Sequence, residues 1–195
     1  MGAAAIAESR SERRKRETRE RLLDAALRVF TERGYDAATT GEIAAAADLG
    51  AGTFYCHFRD KRDVYEALAR RAAREMIEAW QSRLRPGMPL GDSMALALEL
   101  TAAFWSEDRD RARLLLEGGP SFGSAGHLRL VEDVADLIRR MAGQRGRGGP
   151  SPEVAATVVI GLGIELGRII VGGDSRRARE TVAGSVELLR RLFTR

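Results

Sequence analysis

The stretch from 39 to 61, TTGEIAAAADLGAGTFYCHFRDK, constrains this chain more than any other. Thr39 stands three residues before Glu42 and just ahead of Ile43 and the run Ala44 to Ala47, the spacing of a capping box that opens a helix. Asp48-Leu49-Gly50 ends that helix after about two turns, because Asp and Gly tolerate turn and left-handed backbone that most residues avoid. A second short helix then starts at Gly50 or Ala51 and carries Thr53, Phe54, Tyr55, His57 and Phe58. Phe54 and Phe58 are four apart and share one buried face. Thr53, Tyr55 and His57 lie off that face and present hydrogen-bonding groups outward. Two helices joined by a short turn containing Gly make a helix-turn-helix, whose second helix enters the DNA major groove.

The same run resembles the DNA-binding domain of the TetR family of bacterial regulators. Thr39-Thr40, Ile43-Ala44, Ala47, Gly52-Thr53-Phe54-Tyr55, His57-Phe58 and Lys61 fall at that family's spacing. The resemblance covers residues 17 to 68, and the remainder is compatible in length and helicity. It implies that Thr40, His57 and Lys61 contact phosphates and that Tyr55 contacts phosphate or a base edge. Thr39 belongs to the same candidate DNA-facing set. The chemistry agrees, since a helix start offers free N–H groups to an anion and Lys adds a point charge. Gly52 lets the second helix approach the groove closely, and Thr53 offers a hydroxyl and a methyl to a base edge. Three positions depart from the family pattern. Gly41 stands where a base-reading side chain can occur, Asp48 replaces the turn glycine, and Gly50 replaces a Ser cap at a cost of about a few tenths of a kcal/mol.

With 195 residues the chain is long enough for one sizeable helical unit or two small domains. Ala, Leu, Arg and Glu dominate, prolines number only five, and no stretch alternates as a strand does; the expected fold is all-α. The organisation expected is a basic flexible tail over 1–16, a three-helix DNA-binding domain over 17–62, and a larger helical effector-binding and dimerisation domain over 63–195. Net charge is +4, and residues 10 to 21 carry seven Arg/Lys against three Glu, beside the presumed DNA head. Two readings of that excess stay open, a solvated tail and a DNA-contacting arm. The single cysteine, Cys56, excludes an intrachain disulfide and fits a reducing cytoplasm, and the family resemblance implies a bacterial, nucleoid-associated protein. Ala3 to Ala7 is too short for a signal peptide, and Glu165, Arg168 and three glycines argue that the apolar run from Val154 to Val171 is a buried helix, not a membrane span.

Helical spacing predicts a first helix from Glu17 to Arg33, stopped by Gly34, and a fourth starting at Asp60 and broken by Pro86. Further helices are predicted over 92–105, 108–117, 127–141, 152–171 and 176–193, with glycine-rich loops over 118–126 and 143–152. The family resemblance implies that the last two helices pair with their twins in a homodimer; closing the monomer core is the competing reading. It also implies a pocket for a small-molecule effector. Met76, Trp80, Met94, Phe104, Trp105, Phe122 and Met141 are spread over the helices that would surround it, with His127 as a further lining residue. Glu165, alone on an apolar helix, either binds a cationic ligand group or pairs with an Arg at the dimer seam.

The reading as a whole is a ligand-responsive repressor that binds a palindromic, double-stranded operator as a dimer, with no cofactor, no metal and no membrane partner. A helical small-molecule enzyme is the rival from another class, and it lacks paired carboxylates, a Ser/His/Asp set or metal-ligand spacing. A constitutive DNA-binding protein is a third reading, disfavoured by the large apolar second domain.

Overall fold

The computed structural model describes residues 9–117, 119, 124–142 and 150–193. Among them are nine helices and no strand. In chain order these are α1 (Arg10–Arg33), α2 (Thr40–Ala46), α3 (Ala51–Tyr55), α4 (Lys61–Arg83), α5 (Leu90–Glu107), α6 (Arg109–Leu116), α7 (Ser124–Ala142), α8 (Pro152–Val171) and α9 (Ser175–Phe193). The chain divides into two compact units between Leu68 and Ala69, beyond the boundary expected at residue 62. The continuous helix α4 therefore gives its first turns to one unit and its remainder to the other.

In the amino-terminal unit, α1 starts at Arg10, where the sequence reading placed a flexible tail up to residue 16. The cause is local. Ser9 Oγ accepts from the Glu12 N–H at 3.1 Å and Glu12 Oε2 accepts from the Ser9 N–H at 2.9 Å, a reciprocal cap that satisfies two otherwise orphaned donors. The helix stops at Gly34, whose φ of 80° is open to glycine and strained for other residues. The inward face of α1, including Leu22, Ala26 and Phe30, packs with Ile43, Phe54 and Phe58 into the core of the head. Full burial of each such aromatic contributes about 1.5–3 kcal/mol. Tyr35 packs tilted and Tyr65 edge-on against Phe30, at centroid distances of 5.4 and 6.2 Å, and they tie the loop after α1 to α4. Burial raises the Tyr65 hydroxyl to a pKa of about 12.

In the carboxy-terminal unit, α5 packs on α8 and α9, and α8 also meets α6 and α7. Ser151 caps α8 by accepting from the Val154 N–H at 3.3 Å, with Pro152 in the first turn. α8 is long and apolar enough to cross a membrane, but half of that span is buried in the protein. Its small residues explain the burial. A Cβ at Gly163 would lie 3.1 Å from Thr101 Cγ2, and one at Gly167 would lie 2.5 Å from Leu116 Cδ1. The helices that exploit these glycines are α5 and α6.

Candidate nucleic-acid interface and ligand cavity

The helix-turn-helix is built by caps and by arginines from α1. Thr39 is exposed, and its Oγ1 accepts from the Glu42 N–H at 3.2 Å and donates to Glu42 Oε2 at 2.9 Å, so this hydroxyl is engaged in the cap. Those bonds from Thr39, with a smaller push from Arg33 at 2.6 Å, hold the Glu42 carboxyl below the usual carboxylate range. At the other end of α2, Arg21 Nη2 donates to the Ala47 carbonyl at 2.6 Å and Arg28 Nη2 to the Ala46 carbonyl at 2.7 Å. Two orphan carbonyls of a seven-residue helix are thereby satisfied, and its negative end is neutralised. Asp48 then adopts φ 53°, the left-handed geometry expected of the turn, with its exposed carboxylate 4.0 Å from Arg21.

α3 is shorter than anticipated and ends at Tyr55, leaving His57 and Phe58 in the turn that follows. Tyr55 is 60% exposed, and its hydroxyl lies 3.0 Å from Thr40 Oγ1. One hydroxyl from each helix thus meets at the same outer edge. Thr53, two residues earlier on α3, is half-buried. A Cβ at Gly52 would meet no atom of the chain within 4 Å, so nothing inside the head requires glycine there. His57 is half-buried, its Nδ1 lacks a partner among the described residues, and burial followed by Lys15 and Arg19 lowers its pKa. Lys61, for which the resemblance implies a phosphate contact, is engaged within the head. Its ammonium donates to the carbonyls of Tyr35 at 2.7 Å and Asp36 at 2.9 Å and sits 4.6 Å over the Tyr35 ring. Two of three donors are engaged in holding the loop that leads to α2.

In the carboxy-terminal unit, α4 to α8 enclose a cavity of about 100 Å³. Met76, Trp80 and Trp105 line it, as read from the sequence, together with Thr101, Leu116, Ile160 and Gly163, which that reading did not single out. Met94 and Met141 line a separate cavity of about 30 Å³. Phe104 is buried beneath the Arg111 guanidinium, 4.6 Å away, and is in neither lining. Glu165 is exposed, 3.6 Å from Arg168 on the same helix, and does not reach a cavity. Phe122 and the His127 side chain lie outside the described residues. The missed residues are small or aliphatic, and only the crossing of helices selects them from many similar ones. No group of three or more His, Cys, Asp or Glu suited to a metal occurs among the described residues.

Residues 22–68 match the family described as bacterial regulatory proteins, tetR family. The chain is 35% identical over 104 residues to the HTH-type transcriptional regulator AcrR of Shigella flexneri, an alignment covering 52% of this chain and 47% of that one. It is 40% identical over 91 residues to the HTH-type transcriptional repressor BepR of Brucella suis, covering 44% of each. The chain spans about half the length of these two relatives. Among solved structures, a TetR-family transcriptional regulator from Pectobacterium atrosepticum superposes with a TM-score of 0.71 at 26% identity, covering 96% of this chain and 98% of that one. FadR from Bacillus subtilis, solved in complex with stearoyl-CoA, shares the fold with a TM-score of 0.65 at 19% identity, covering 87% and 96%. The relatives are named as transcriptional regulators, not as enzymes.

Proposed function

We propose that this chain, whose residues 22–68 match the tetR family and whose fold is that of TetR-family regulators, is a dimeric repressor released from a palindromic operator by a small molecule. The observation that carries the DNA-binding part is the pairing of Tyr55 and Thr40 at 3.0 Å on an exposed edge where two short helices meet. Thr40 serves the phosphate backbone, while Tyr55 and Thr53 serve base edges. Gly52 keeps the backbone of α3 clear for a close approach to the groove. Lys61 acts chiefly by positioning α2 through the carbonyls of Tyr35 and Asp36, with its remaining proton free for a phosphate. Repression is supported by the repressor relative BepR.

Dimerisation follows through α8 and α9, whose exposed Val154, Leu188 and Leu192 form apolar surface beyond what the monomer buries. Two heads then engage half-sites about 34–36 Å apart, and the operator carries matching two-fold symmetry. The effector occupies the α4–α8 cavity and lowers operator affinity by its differential affinity for the two conformations. The protein acts in the cytoplasm, at the nucleoid.

Fluorescence anisotropy with the DNA flanking its own gene tests the reading. The wild-type chain binds with affinity that falls steeply as salt rises. Tyr55→Ala weakens binding without altering thermal stability, because its side chain is exposed. Lys61→Ala weakens binding and also lowers the melting temperature, because two carbonyls lose their donor. Absence of binding to that DNA and to any DNA recovered by selection sinks the regulator reading.

A further inference from the structure

From Thr40 to Phe58 the chain contains no Arg, Lys, Asn or Gln. Those four are the side chains that read guanine and adenine in the major groove by paired hydrogen bonds. The two acids of the stretch are held at its edges, Glu42 by the Thr39 cap and Arg33, and Asp48 in the turn, 4.0 Å from Arg21. The cations that follow α3 are engaged as well, Arg59 with Asp63 at 3.7 Å and Lys61 with two backbone carbonyls. The exposed positions of α3 itself are Ala51, Gly52 and Tyr55. Paired readout of a purine is therefore not available from this helix, which offers outward one phenol hydroxyl and one methyl. Ala51 and Tyr55 are four apart and share a face. Gly50 and Gly52 flank Ala51, and a Cβ at either would meet no atom of the chain within 4 Å. Packing within the head does not demand glycine at those two places; their effect is bare backbone on both sides of the Ala51 methyl. A methyl standing clear in this way complements the 5-methyl of thymine, the apolar group that a base edge carries in the major groove.

We propose that Ala51 is a specificity-determining residue that reads a thymine 5-methyl group in each half-site by apolar contact, one helical turn from the Tyr55 hydroxyl. The proposal rests on the reading of α3 as the helix that enters the major groove and adds the base that it selects there. Thymine is distinguished from cytosine at that position by its methyl, so the choice needs no hydrogen bond from α3.

Duplexes selected from random DNA by the full chain supply the probe. Anisotropy titrations compare a selected duplex with versions in which a thymine is replaced by deoxyuridine, which removes the methyl and leaves every hydrogen-bonding group in place. At one thymine position the wild type is expected to lose affinity about fourfold for each half-site changed, the worth of burying one methyl. Ala51→Gly is expected to bind the thymine duplex as weakly as the wild type binds the deoxyuridine one, and no longer to distinguish the two. A wild type indifferent to every such replacement overturns the proposal, as does a loss that persists undiminished in Ala51→Gly, or a selected half-site without thymine. Should Ala51→Gly not fold, Ala51→Ser takes its place with the same expected loss of discrimination, because a hydroxyl then stands where the methyl met the base. DNA binding that ignores the methyl overturns this proposal and leaves the regulator reading standing, whereas absence of binding to any DNA sinks both.

Discussion

His57 lies just beyond α3, half-buried, with Lys15 and Arg19 of α1 close enough to act on it. Burial chiefly, and those two cations next, push its pKa below the ordinary value of 6.5. A depressed histidine pKa means that the unfolded chain takes up the proton more readily than the folded one. The stability it contributes is present above the ordinary value and is lost as pH falls through the folded value. The melting temperature should therefore drop on acidification from about pH 7 to about pH 5, and His57→Gln should flatten that drop. An unchanged pH profile in the variant would assign the effect to other groups. The sequence identified His57 as an outward polar group but did not reveal its half-burial, which depends on the packing of α1, some forty residues earlier in the chain, against the turn after α3.

At the scale of elements, helix existence followed from local chemistry while helix contacts did not. Thr39 and Glu42, Asp60, and Ser151 with Pro152 each mark a helix start, and each performs that role, Asp60 by accepting from the Asp63 N–H at 2.8 Å. α1 starts earlier than the expected Glu17 because Ser9 and Glu12 cap each other's backbone N–H groups within a strongly basic stretch. Close approach is harder to foresee. Gly91 stands where α5 crosses α9, and a Cβ there would meet the Leu189 carbonyl oxygen at 2.8 Å and Arg190 Cα at 3.1 Å. Both obstacles are backbone, which cannot rotate aside. Gly91→Ala should destabilise the carboxy-terminal unit by about 1–3 kcal/mol, read as a lower midpoint in urea unfolding followed by tryptophan fluorescence. A midpoint equal to the wild type would mean that α9 shifts without cost.

For the whole molecule, the question is what covers α9. Leu188 and Leu192 are one helical turn apart and more than half exposed, an arrangement that a second copy of the chain would bury. Replacing both with Glu should convert the proposed dimer to a monomer in sedimentation velocity, leave the helical signal of the chain intact, and greatly weaken binding to the proposed operator, since each head alone would grip one half-site. A variant that remains dimeric would move the interface off this face of α9. The reading of Glu165 as part of a dimer seam belongs to the same experiment, because Glu165 and Arg168 are exposed neighbours on α8.

The sequence by itself determined the all-α class, the helix-turn-helix and the resemblance it carries, since capping boxes, left-handed turn residues and the buried Phe54–Phe58 pair act within a few positions of themselves. Tertiary structure alone decided which arginines close α2, where the Lys61 ammonium is engaged, and which tryptophans wall a common cavity. Those outcomes depend on side chains as far apart in sequence as Tyr35 and Lys61, or Trp105 and Gly167, meeting within a few ångströms. The periodicity of one helix says which of its faces is buried, and only the crossing of two helices says against what.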